Sequence, residues 1–72
     1  MKDFRLRNNV KIKRISSKRF SQQELAKEIG VSRQTMNLIE SEKYNPSIKI
    51  CLLICKALDT DLNDLFWYEN TE

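Results

Sequence analysis

The chain has 72 residues, with 13 Lys or Arg against 10 Asp or Glu, a net charge of +3 and no histidine. That length is expected to make one domain, residues 1–72, whose core is marginal alone and gains from a second copy. With no apolar run long enough to span a membrane, no signal peptide, one glycine, no phosphate loop and no activated nucleophile, a cytoplasmic non-enzyme without a cofactor is expected.

From the N-terminus, residues 3–7 (Asp-Phe-Arg-Leu-Arg) alternate polar and apolar, the period of a strand. A first helix is expected over residues 9–17, with Val10, Ile12 and Ile15 turned inward, and residues 17–20 make a loop. Ser21 is a good N-cap for a second helix, and Glu24 three residues on completes a capping box. Gly30 ends that helix where φ > 0 is required, a conformation only glycine takes freely. Ser32 caps a third helix that runs to about Ser41. Residues 43–45 form a connection, and Pro46 biases Asn45 to extended backbone.

Ser47 caps a fourth helix, Ile48–Leu58, in which only Lys49 and Lys56 are charged. Ile50, Cys51, Ile54, Cys55 and Leu58 fill a core-facing arc, and Leu53 falls on the exposed side with the lysines. Leu53 is then a lone surface leucine or the margin of a subunit contact. The two cysteines could suggest zinc, but without histidine or a second cysteine pair four ligands cannot be assembled within one subunit. A disulfide within a helix is geometrically poor, so both read as buried, reduced thiols. Thr60 caps a short fifth helix, with Asp61 and Asp64 near its positive end. Phe66, Trp67 and Tyr68 favour a strand, which can pair with the N-terminal one in a small antiparallel sheet. Its alternation turns Trp67 away from Phe66 and Tyr68 and leaves apolar surface for a second subunit. Residues 61–69 with Leu53 are therefore the expected dimerisation segment.

Residues 22–42, QQELAKEIGVSRQTMNLIESE, carry the functional signal. Leu25/Ile29 and Met36/Ile39 each share a helix face, and Ala26 sits where two helices would approach most closely. Between the apolar positions of the second helix lie Arg33, Gln34, Thr35 and Asn37, all able to bond base edges or phosphates. A plain helical hairpin has no need of such a row, so residues 22–41 read as a helix-turn-helix whose second helix enters a major groove. Charge agrees: residues 1–20 hold eight bases and one acid, while residues 59–72 hold five acids and no base. One face is suited to a polyanion and another turns from it. The basic segment FRLRNNVKIKR lacks the broad apolar face that a membrane-surface helix needs.

The stretches SQQELAKEIGVSRQTMNLIE, EKYNPSIKI and ALDTDLNDLFW resemble the Xre family of small repressors, relatives of the lambda repressor and Cro. The resemblance runs from about Ser21 to Trp67. It implies an all-α, five-helix lambda-repressor-like DNA-binding domain, to which the residues themselves add the small two-stranded sheet. It also implies that Lys43, Tyr44 and Asn45 lie along the DNA backbone, with packing as the alternative for Tyr44. An arginine of the family's first helix pairs with the acid at position 40, and Arg14 is the matching residue. Leu at position 53 departs from the family's usual polar residue.

The expected contacts divide by type. Gln22, Ser32 and Thr35 would hold phosphates at helix N-termini. Arg33 and Gln34 would read bases as bidentate partners of guanine and adenine, Asn37 would read a third base or a phosphate, and Leu38 would touch a thymine methyl. The function expected is a homodimeric repressor of a palindromic operator that acts by occupancy, since nothing is left over for an effector domain. No small-molecule ligand is evident. One rival is an antitoxin or restriction-system controller that also binds a protein, against which stand only about five residues after Trp67. Another is a protein-interaction module that never meets DNA.

Overall fold

Two short strands and five helices follow one another in the computed structural model, which describes residues 4–70. They are β1 (Phe4–Asn8), α1 (Val10–Ser17), α2 (Gln22–Ile29), α3 (Arg33–Glu40), α4 (Ile48–Leu58), α5 (Leu62–Leu65) and β2 (Phe66–Asn70). Asp3 of the strand reading, and Lys2 and Glu72 of the charge reading, lie outside the described residues. The fold is the expected helical one with a two-stranded antiparallel sheet.

Local chemistry explains most boundaries. The Ser21 hydroxyl accepts from the Glu24 N–H at 3.1 Å, and the Glu24 carboxylate accepts from the Ser21 N–H at 2.8 Å. Gly30, at φ 82°, closes α2 by donating to the Ala26 and Lys27 carbonyls. Ser32 and Ser47 accept from the N–H groups of Thr35 and Ile50 and start α3 and α4. The cap of α5 is Asp61 rather than Thr60. The Thr60 N–H still reaches back to the Cys55 carbonyl at 3.0 Å, so Thr60 belongs to the end of α4.

The core gathers Val10, Leu25, Ala26, Ile29, Met36, Ile39, Cys51, Ile54, Cys55, Leu58, Leu65 and Phe66. Helix α2 packs on α3 and α4, and α4 also touches α1 and α5. Because α4 has neighbours on several sides, its apolar coverage exceeds one stripe. Leu53 is consequently half-buried against the core with Phe20 and Ala57, not exposed as expected; the exposed leucine is Leu52. The inward face of α1 also differs from expectation. Val10 is fully buried, but Ile12 and Ile15 are 68% and 56% exposed. At 3.6 residues per turn, positions two and five beyond Val10 fall near the opposite side, and Arg14 takes the inward place one turn on. Cys51 and Cys55 are free and buried, and burial pushes both thiols up from their ordinary pKa.

The strands pair in the register Phe4↔Asn70, Leu6↔Tyr68, Asn8↔Phe66. The ladder continues with the Asn9 N–H on the Leu65 carbonyl at 3.1 Å. The sheet thus fastens both ends of the described chain beside α5.

Candidate nucleic-acid interface

Helix α3 divides cleanly into two faces. Met36 and Ile39 are fully buried, whereas Arg33, Gln34 and Asn37 are exposed. Thr35 and Leu38 lie between, half-buried. The buried pair holds the helix on the body of the protein, and the row on the other side projects long hydrogen-bonding groups into solvent. Ser32 and Thr35, besides the cap, share a hydroxyl–hydroxyl bond of 2.9 Å.

Gln22, at the start of α2, is half-buried and spans the two helices. Its amide donates to Glu40 at 3.1 Å, and its carbonyl oxygen accepts from Arg33 at 3.4 Å. Glu40 is held by a forked pair with Arg14, Nε to Oε2 at 2.7 Å and Nη2 to Oε1 at 3.2 Å. The two side chains are only 11% and 3% exposed. Near the outgoing end of α3 an acid would repel a polyanion; here it is turned inward and saturated.

A second acid is handled likewise, and the sequence reading did not single it out. Glu42 follows α3 with φ 65°, a left-handed conformation unusual for a residue with a Cβ. Its carboxylate accepts from Arg7 Nε at 3.0 Å and from the Asn8 N–H at 2.8 Å, with Arg5 3.8 Å away. Burial pushes this carboxyl up, but the Asn8 N–H and the Arg7 guanidinium outweigh it and hold the group below its ordinary value. Arg7 is raised by the Glu42 bond and charge, and also by Glu69 at 3.0 Å. An acid beside a helix that faces a polyanion needs a partner, and that signal stands in the sequence at Glu42 as it does at Glu40.

Lys43, Tyr44 and Asn45 continue from this anchor and are exposed, Tyr44 at 48%. Among the described residues neither Arg33 nor Lys43 is in an ion pair, so both charges are free for a polyanion. The residues assigned to a subunit contact separate. Phe66, 7% exposed, is spent in the chain's own core and Leu53 is half-covered, while Trp67 and Tyr68 are 43% and 68% exposed. Among the described residues no helix is long and apolar enough to cross a membrane, and no cluster of His, Cys, Asp or Glu could hold a metal.

Comparison with known proteins bears on this geometry. A family model described as helix-turn-helix matches residues 10–65. An uncharacterized HTH-type transcriptional regulator of Methanocaldococcus jannaschii is 46% identical over 52 residues, 72% of this chain and 79% of that protein. One from Archaeoglobus fulgidus is 36% identical over 72 residues, 100% of this chain and 87% of its own. Another, from Bacillus subtilis, is 44% identical over 50 residues, 69% and 76% of the two chains. The crystal structure of a candidate DNA-binding protein from Bacteroides fragilis superposes with a TM-score of 0.78 at 24% identity, covering 86% of this chain and 98% of that one. That likeness speaks for the fold.

Proposed function

The chain belongs to the helix-turn-helix family of DNA-binding transcriptional regulators, and from that premise we propose that it is a homodimeric repressor of a palindromic operator. The family is Xre-like and not enzymatic, so what needs explaining is recognition rather than catalysis. The observation that carries the reading is the two-faced α3. Arg33, Gln34 and Asn37 stand exposed over buried Met36 and Ile39, with the neighbouring acids Glu40 and Glu42 drawn into ion pairs.

In this reading α3 lies in the major groove. Arg33 pairs with O6 and N7 of guanine and Gln34 with N6 and N7 of adenine, each pair worth about 1–3 kcal/mol of discrimination. Asn37 reaches a third base or a phosphate, and Leu38 touches a thymine methyl. Lys43, Tyr44 and Asn45 follow the backbone, and Ser32 and Thr35 cap the helix over a phosphate. Gln22 acts mainly as the brace that aims Arg33, since its amide is already engaged. A dimer through the C-terminal strand would set two such helices about 34 Å apart, one turn of DNA. Such a protein works in the cytoplasm, on the nucleoid.

Selection of bound sites from random duplexes tests the reading directly. The expected result is a two-fold symmetric motif with half-sites one turn apart, bound with an affinity that falls steeply with salt. A protein that selects no motif, or whose binding ignores salt, would be a protein-interaction module instead.

A further inference from the structure

A two-stranded sheet has two free edges, and here they are not equivalent. The Asn8 N–H goes to Glu42 and the Asn9 N–H to Leu65, so the bonds between the strands come from the residues alternating with Asn8. In the observed register Phe66, Tyr68 and Asn70 therefore aim their backbone groups away from β1. The Phe66 N–H is taken by the Leu62 carbonyl. Tyr68 has no backbone or side-chain partner outside the sheet among the described residues. Edges are ordinarily guarded by charged side chains, proline or a bulge; Phe-Trp-Tyr-Glu-Asn has no lysine, proline or bulge, and its one charge, Glu69, is paired with Arg7.

Resting on the homodimer reading, we propose that the β2 edge is where a second copy of this chain docks. The two β2 strands pair antiparallel across a two-fold axis at Tyr68 and make one continuous four-stranded sheet. Each Tyr68 N–H then meets the partner's Tyr68 carbonyl. Charge selects this arrangement. Trp67 faces the partner's Glu69 and Phe66 faces the partner's Asn70, so no like charges meet, and Glu69 is already neutralised by Arg7 at 3.0 Å. The same operation on β1 would set Arg5 opposite the partner's Arg7, which is repulsive across a ladder. Addition of β2 onto the partner's β1 would build an open filament rather than a closed pair, and the Asn8 N–H on that edge, like the Phe66 N–H on the other, is already taken. The closed, isologous pair remains. Beside the edge, Phe4 and Tyr68 stack edge-to-face at 5.7 Å over a shallow groove that includes Leu6, Pro46, Ile48 and Leu62. Phe4, Ile48 and Tyr68 are each more than 60% exposed in the single copy, and two such grooves meeting at the axis would cover one another.

Paired cysteines test the register. Trp67 and the partner's Glu69 would form a non-hydrogen-bonded pair with Cα atoms about 4.5 Å apart, within disulfide reach. The double variant W67C/E69C, oxidised when dilute, is expected to run as a covalent dimer on a denaturing gel, and W67C or E69C alone is not. In parallel, Y68P removes the outward N–H without removing a β1–β2 bond, and Y68T keeps it. Y68P is expected to raise the dimer dissociation constant by roughly thirtyfold, for two lost hydrogen bonds, relative to Y68T. If wild-type protein sediments as a dimer but the double variant does not cross-link and Y68P matches Y68T, the β2 pairing is wrong while the homodimer stands. If the wild type is monomeric at every concentration, the homodimer reading falls and this pairing with it.

Discussion

The side-chain amide of Asn8 donates to the main-chain carbonyl of Ile39 at 2.9 Å, joining the first strand to the outgoing end of α3. The same asparagine accepts from the Val10 N–H and gives its own N–H to Glu42, so strand, first helix and exposed loop meet at one residue. The other anchor of α3 is the Arg14–Glu40 fork. Both anchors come from the N-terminal seventeen residues, outside the helix-turn-helix itself.

Specificity is the first expectation. Gln34→Ala should relax preference at one base pair per half-site, at a cost of about 1–3 kcal/mol. Lys43→Ala should instead weaken all sequences alike and reduce the magnitude of the salt slope by about one. Binding-site selection and a salt titration separate the two. An unchanged motif for the Gln34 variant would remove it from the readers.

Removal of one partner of the Arg14–Glu40 pair should be costly, because the other charge stays buried. Arg14→Met is expected to lose about 3–5 kcal/mol in urea unfolding. A variant that melts with the wild type would show that solvent reaches Glu40 after all.

Ala26 is 2% exposed, and its carbonyl accepts from the Val31 N–H across the turn. Ala26→Leu should overpack this site, costing about 1–3 kcal/mol and spreading α2 from α3. DNA binding is expected to fall further than stability alone explains, read as affinity measured well below the melting temperature.

Acid should loosen the Glu42 anchor. Its folded pKa lies below the ordinary 4.5 because the Asn8 N–H and Arg7 outweigh burial. A carboxylate of that kind stabilises above its unfolded pKa and loses the contribution as pH falls through the lowered folded value. Melting temperature should decline on that acid limb, and less steeply in Glu42→Gln, which starts lower at pH 7. Glu42→Gly should melt above Glu42→Ala, since both lose the carboxylate but only glycine carries the backbone at φ 65° without strain. Equal melting of the two would mean the left-handed turn costs nothing there.

Short-range chemistry was the most legible part of the chain. Ser21 with Glu24, Gly30, Ser32 and the span of α4 act over three or four residues, and they stand where the residues put them. The strand pairing was readable because alternation and aromatic content survive at the two ends. What depended on neighbours across the fold was harder. Ile12 and Ile15 look like core residues until Arg14 claims the inward side of α1 to reach Glu40. Leu53 looks exposed until the fold packs it against the core. Glu42 looks like a solvated acid, and only the return of β1 past the end of α3 gives it partners.

The register that sets Phe4 beside Asn70 makes the described backbone almost a ring. Its closure joins the residues furthest apart in sequence, whereas α2 and α3 meet through a short turn, so loop entropy places the sheet late in folding. By the same reasoning the sheet is the first part to open, and its amides should exchange with deuterium ahead of those in α2 to α4. Opening would free Asn8 from Ile39 and Glu42 from Arg7. If the β2 edge is also the subunit contact, dilution would loosen the ends and slacken the recognition helix at once. Occupancy of the operator would then respond to the amount of protein more sharply than one binding equilibrium allows.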